Sequence, residues 1–277
     1  MKQVAKNVYY QPTFRGVNLG VVATDEGVVL VDAPMLPMVA RAWQEEVEDL
    51  GKIEFILNTD HLQEHTMGNY YLPGDIIAHH ETRGRMRMTD RAKESYIKFV
   101  IENDESGAAE AVANYELRYP NIELFDHLTI HMGGCELSFL ALPGHTMNNV
   151  GLYLPESKLL FCGDTVMNNY RPYLGLATFD TWLETLQMID EMEIELLVPG
   201  HGEPVGKAAI QRMSLYIAEM YESVADLIAE GRTRDEVVSR MMPRFEDWPI
   251  NSQRRDEERN LFRQGIRQLY DTITGRR

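Results

Sequence analysis

The chain has 277 residues, 44% of them hydrophobic, and a formal net charge of −16. That length supports one large domain with a proper core, and the acidic balance argues against nucleic acid or an anionic membrane as partner. No apolar run reaches the length of a membrane span, and the start M-K-Q-V-A-K-N-V lacks a signal peptide's apolar region, so a cytoplasmic protein is expected. Two cysteines, Cys135 and Cys162, provide no disulfide framework. In chain order, residues 4–10, 16–23 and 27–32 read as strands, with Asp25-Glu26-Gly27 as a hairpin turn. Residues 38–50 read as an amphipathic helix ended by Gly51, with Ala42, Val47 and Leu50 facing a sheet.

The stretch that follows carries the chemistry. Ile53, Phe55, Ile56 and Leu57 form a short apolar strand that runs into a polar loop holding Asp60, His61, Glu64 and His65, closed by Gly68-Asn69. Residues 75–78 read as a strand leading to His79-His80, a pair read as flanking the site rather than ligating in it. Residues 83–117 have a helical, charge-rich pattern. Within it Met86 and Met88 read as core filler and Arg83, Arg85 and Arg87 as a solvated face.

Residues 128–164 are β-rich. Here the strand-then-ligand grammar repeats: residues 137–142 precede Pro143-Gly144-His145, and residues 158–162 precede Gly163-Asp164. After a loop whose Tyr170, Arg171 and Tyr173 are candidate substrate contacts and a helix over Phe179–Glu191, residues 194–198 precede Pro199-Gly200-His201. Each case is an apolar strand, a glycine where the backbone turns tightly, then His or Asp. Strands ending at one rim would gather these side chains, and imidazole with carboxylate suits zinc, iron or manganese. Residues 208–231, 233–242 and 251–273 read as helices, with a break between the last two at Pro243 to Pro249. That tail is a candidate cover for the pocket or surface for a homodimer.

The chain resembles the metallo-β-lactamase superfamily, whose signature is H-x-H-x-D-H after a strand, then a single His, a bridging Asp and a last His. The later elements stand as L-P-G-His145, C-G-Asp164-T and V-P-G-His201-G, and V-V-L-V-Asp32 looks like the opening strand with its structural aspartate. The resemblance implies an α/β fold, a four-layer αβ/βα sandwich over residues 1–205 with a helical insertion at about 83–117. Residues 206–277 would be a helical extension packed on the same domain.

The first motif departs from the family. Asp60 takes the first His position, Leu62 the second, Glu64 the Asp position and His65 the last His. Asp60 and His145 remain of the first metal site, since Leu62 cannot coordinate, whereas Glu64, His65, Asp164 and His201 supply the second. One ion per chain is therefore expected rather than two, zinc on family grounds, with manganese or iron as alternatives. Asp164 bridging to Asp60 and His145, or His61 swinging inward, could rescue the first site. His61-Leu-Gln-Glu64-His65 also spells the inverted zincin pattern H-x-x-E-H, which leaves the other three strand ends unexplained.

The implied activity is metal-assisted hydrolysis of a small ester, thioester, lactone or β-lactam, with Asp164, or the carboxylate of Asp60 or Glu64 if unligated, orienting the attacking water. Two other readings are a non-haem iron redox or oxygen-binding protein of this fold, and a degenerate metal-free binder.

Overall fold

The computed structural model describes residues 1–13, 17–248 and 255–276. The first half of the chain builds a seven-stranded sheet in sequential order. Strands β1 (Lys2–Ala5), β2 (Val8–Pro12), β3 (Asn18–Thr24) and β4 (Gly27–Val31) are antiparallel neighbours. The sheet continues in parallel through β5 (Ile53–Leu57), β6 (Asp75–His79) and β7 (Ile122–Leu124). Parallel neighbours need a crossover. Helix α1 (Pro37–Glu48) makes the first; α2 (Gln63–Thr66) lies in the second, and α3 (Thr82–Arg85), α4 (Asp90–Asn103) and α5 (Ala108–Val112) lie in the third.

Residues 4–10, expected as one strand, instead split into β1 and β2. The chain reverses at Lys6-Asn7, where Asn7 takes a φ of 60°, a left-handed conformation that asparagine tolerates better than most residues. The expected strand over 16–23 begins on Gly16, which lies outside the described residues; β3 starts at Asn18. In α1 the buried stripe is Pro37, Ala40, Trp43 and Val47. Ala42, expected to face the sheet, is exposed, because it sits about 100° around the helix from Trp43, whereas Leu50, just beyond the helix end, packs half-buried against this core as expected.

The second sheet has the order β12-β11-β10-β9-β8. Its strands are β8 (His127–Met132), β9 (Cys135–Ala141), β10 (Val150–Leu154), β11 (Leu159–Gly163) and β12 (Leu196–Pro199). All pairs are antiparallel except β11 with β12, which α6 (Phe179–Glu191) connects.

Period-two alternation sorts the side chains into layers. Val29, Val31, Leu57 and Ile77 point inward and meet Phe139, Leu152, Phe161 and Val198 of the second sheet. Their neighbours Leu30, Ile56 and Ile76 point outward onto Trp43 and Val47 of α1. On the far side, Leu160 and Cys162 pack against Trp182 and Leu186 of α6 and against Met213 and Ile217 of α7 (Ala208–Ala229). The result is the expected four-layer αβ/βα sandwich.

The same outer core takes in Val237 of α8 (Arg234–Met241) and Phe262 and Ile266 of α9 (Arg255–Ile273). A reciprocal capping box between Thr233 and Glu236 starts α8. Of the last helix, expected from residue 251, positions 251–254 lie outside the described residues. In the insertion, Tyr96, Val100, Val112 and Tyr115 pack on Met35, Leu36 and Met67, with Met88 half-buried against them and Met86 buried. Among the described residues, no helix is long and apolar enough to cross a membrane.

Candidate metal centre

Five strands deliver the site at their C-terminal ends. Asp60 follows β5, His145 follows β9, Asp164 follows β11, His201 follows β12, and Asp32 follows β4 with a φ of 60°. Two glycines make the convergence possible. Gly163 turns with a φ of 49° just before Asp164, a conformation that costs glycine little. At Gly200 the constraint is space, since a Cβ there would lie 2.0 Å from Asp164 Oδ1.

Two ligand clusters share Asp164. The ligand atoms of His65, Asp164 and His201 lie within 4.8 Å of one another, as do those of Asp60, His145 and Asp164. Asp164 Oδ2 stands 3.5 Å from His65 Nε2 and 3.6 Å from His145 Nε2, and its Oδ1 stands 3.6 Å from His201 Nε2. Asp60, His65, His145 and Asp164 are buried, whereas His201 keeps 12% of its side chain exposed and marks the open side.

Asp60 Oδ2, His65 Nε2, both nitrogens of His145, Asp164 Oδ1 and His201 Nδ1 are buried without a hydrogen-bond partner. Leaving one such group unsatisfied costs about 1–3 kcal/mol. Several of them converging on one point fit a divalent cation, and the imidazole and carboxylate donors suit zinc, manganese or iron.

His65 is held from behind. Its Nδ1 donates to Asp32 Oδ2 at 2.8 Å, which leaves Nε2 free to ligate. Asp32 is itself fixed by the Thr59 N–H at 2.8 Å and the Thr59 hydroxyl at 2.7 Å. Asp60 is aimed in the same way: the Leu62 N–H donates to its Oδ1 at 2.6 Å, leaving Oδ2 facing the cluster.

The electrostatics follow from this packing. Burial pushes the Asp60 carboxyl up to about 8, and the nearby Asp164 carboxylate adds to the effect while His65 opposes it. For Asp164, burial is outweighed by the imidazoles of His201, His65 and His145, which hold its carboxyl well below the usual range. Burial also opposes charge on His65, but the carboxylates of Asp32, Asp60 and Asp164 prevail and raise its pKa well above the ordinary value. Burial lowers His145. The ion-free site thus retains protons that a bound cation would displace.

Glu64, expected in the second set, joins neither cluster, although it lines the cavity above them. Both residues lie on α2, where successive side chains diverge by about 100°, so Glu64 does not share the direction of His65. His61 does not swing inward. Its Nδ1 donates to Asn148 Oδ1 at 2.8 Å, and Asn148 is anchored to the Thr82 hydroxyl at 2.9 Å. The inverted zincin pattern fails for the same reason, since α2 begins at Gln63 and His61 and His65 share no cluster. His79 accepts from the Glu81 N–H and His80 stacks on Phe125 with ring centroids 4.3 Å apart, both outside the clusters. Cys162 is buried core, its thiol pushed up by that burial.

A cavity of about 280 Å³ opens over Leu62, His145, Asp164 and His201. Tyr170, Arg171 and Tyr173 line it with Met167, and the tail helix α9 contributes Glu258 and Leu261. The Tyr170 ring lies 5.2 Å from that of His201. Arg171 ties its loop to the tail: Nη2 donates to the carbonyls of Phe245 and Trp248 at 2.5 and 3.2 Å, and the guanidinium lies 4.1 Å over the Phe245 ring. Glu258 and Leu261 were missed from the sequence. Nothing in their local pattern distinguishes them from other positions on a charged helix.

The sequence model described as the Metallo-beta-lactamase superfamily matches residues 12–201. The chain belongs to that superfamily. Among superfamily relatives, the Caenorhabditis elegans Beta-lactamase-like protein 2 homolog is 26% identical over 117 residues, 41% of this chain and 38% of its own. The Homo sapiens Acyl-coenzyme A thioesterase MBLAC2 is 28% identical over 106 residues, 36% of this chain and 38% of its own. The matched stretch therefore spans well under half the length of either relative. A metallo-beta-lactamase family protein from Thermus thermophilus superposes with a TM-score of 0.69 at 19% identity, over 99% of this chain and 95% of that one. The sec-alkylsulfatase Pisa1 from Pseudomonas sp. gives 0.71 at 15% identity, over 99% of this chain and 50% of that one. At those identities the structural likeness establishes the fold.

Proposed function

We propose that the protein is a metal-dependent hydrolase of a small ester, thioester, lactone or β-lactam, working with one ion per chain. The observation that carries this reading is the set of buried, unpartnered imidazole and carboxylate atoms beneath an open cavity. His65, Asp164 and His201 would hold the ion, zinc before manganese or iron, with His145 and Asp60 beside it. When bound, such an ion supplies positive charge that acidifies water and polarises a carbonyl oxygen.

The remaining roles belong to the chain. Asp164 fixes the geometry that both clusters share. Asp60 Oδ2, with its partner oxygen set by the Leu62 N–H, would hold and release a proton beneath the cavity, beside His145 and Asp164. Tyr170 and Tyr173 form the wall that orients the substrate, while Leu62, Met167 and Leu261 exclude water from it. The thioesterase named above supports hydrolysis. So does the Edwardsiella ictaluri Hydroxyacylglutathione hydrolase, 33% identical over 73 residues, 26% of this chain and 28% of its own.

The deciding experiment pairs elemental analysis with turnover of an ester, thioester, lactone and β-lactam panel before and after chelation. About one ion per chain and activity that disappears with chelator and returns with metal are expected. Turnover indifferent to chelation, or no ion after reconstitution, would overturn the proposal. The second of those results would favour the metal-free binder that Leu62 suggests.

A further inference from the structure

The wall contributed by the tail holds polar atoms that the hydrolytic chemistry does not use. Arg171 spends Nη2 on the Phe245 and Trp248 carbonyls, but its Nε and Nη1 have no partner. Glu258 lines the same cavity, and its Oε2 is likewise buried and unpartnered. Burial lowers the Arg171 pKa, and the neighbouring Tyr216 hydroxyl, then the Glu258 carboxylate, push it back. One wall of the pocket therefore carries a cation and an anion, each with polar atoms that make no hydrogen bond within the protein.

We propose that Arg171 and Glu258 form a subsite for a neutral group that both accepts and donates a hydrogen bond, a secondary amide or a hydroxyl, carried by the substrate away from its scissile bond. This rests on the hydrolase reading and narrows it. A carboxylate would suit Arg171 but meets the charge of Glu258, and an ammonium would suit Glu258 but meets Arg171. Like charges in a partly enclosed site are strongly disfavoured. A methylene satisfies neither side chain and leaves both buried polar groups unpaired. An amide carbonyl can accept from Arg171 while its N–H donates to Glu258, so both are satisfied at once.

The test uses unreactive ethers, with the ether oxygen at the scissile position and a side arm ending in N-methylcarboxamide, an alkyl group of equal size, a carboxylate or an ammonium, at graded distances. Calorimetric titration into the metal-loaded protein should show the best amide binding about tenfold tighter than its alkyl match, the worth of one hydrogen bond to a charged group. Both charged arms should bind more weakly than the amide. Glu258→Gln, which keeps the size of the side chain, should erase the penalty on the carboxylate arm. Equal binding of amide and alkyl arms, or tightest binding of the carboxylate in the wild type, would overturn the subsite. The corresponding esters are then assayed for turnover. Amide preference in binding without turnover of any ester would leave the subsite standing and remove the hydrolase reading.

Discussion

The two clusters that meet at Asp164 are built to different standards. In the first, His65 is clamped through Nδ1 by Asp32, which is in turn held by Thr59. In the second, Asp60 is set by the Leu62 N–H, but both nitrogens of His145 lack a partner, as the outer Nδ1 of His201 does in the first, and Leu62 stands where the family motif has a histidine. Ligands fixed by outer hydrogen bonds need no reordering when an ion arrives, whereas loosely held ones do. The lesson is that ion affinity should follow the support behind each ligand as much as the number of ligands, and that one ion should sit on the His65 and His201 side.

The largest test of that contrast is His201→Ala, which should abolish metal retention in elemental analysis and lower turnover by at least about 100-fold; unchanged metal content would break the assignment. Next in size, Asp32→Asn should weaken metal binding by about 10–100-fold in a competition titration, although Asp32 touches no ion. Leu62→His should restore a ligand to the poorer cluster and raise the content from about one ion per chain toward two.

A smaller effect separates the clusters by pH. The Asp60 carboxyl stands at about 8 in the folded ion-free protein against an ordinary value of 3.8. A raised carboxyl pKa means that the folded state binds the extra proton. That contribution is complete below the unfolded value and is lost as pH rises through about 8. Ion-free Asp60→Asn should match the wild type near pH 4 and exceed its stability near pH 9, as read from urea unfolding. The gain should be more than about 1.4 kcal/mol, the worth of a tenfold change in proton affinity. The smallest change is expected from His80→Ala. Its stability should stay within about 0.5 kcal/mol with metal content unaltered, because the His80 ring packs on Phe125 and His79 and joins neither cluster.

What could be read from the sequence was the part encoded locally. An apolar run, a glycine and then a His or Asp specifies a strand end and a candidate ligand within a few residues, so the convergence of His145, Asp164 and His201 was legible. Glu64 was not, because the family pattern aligns its position but the start of α2 at Gln63 decides its direction. Likewise Lys6-Asn7 carried too weak a turn signal to split one apparent strand, and only the left-handed backbone at Asn7 reveals the hairpin. Trp43 displaced Ala42 on α1 because a helical face is set by angle, which loose spacing blurs. The wall from α9 depends on contacts across nearly a hundred residues, and no local pattern reports them.

That wall also has a temporal meaning. The superfamily match ends at residue 201, with the last imidazole of the site, while Glu258 and Leu261 lie further along the chain. On the ribosome, every candidate ligand, and Arg171 with them, is therefore synthesised before the α9 part of the surface proposed to choose the substrate. A nascent chain has all its ligands while one side of its pocket is still missing. Part of the proposed choice of substrate is thus written in a stretch of the message that holds no candidate ligand, so exchanging that stretch alone should alter the pocket wall and leave the ligand clusters in place.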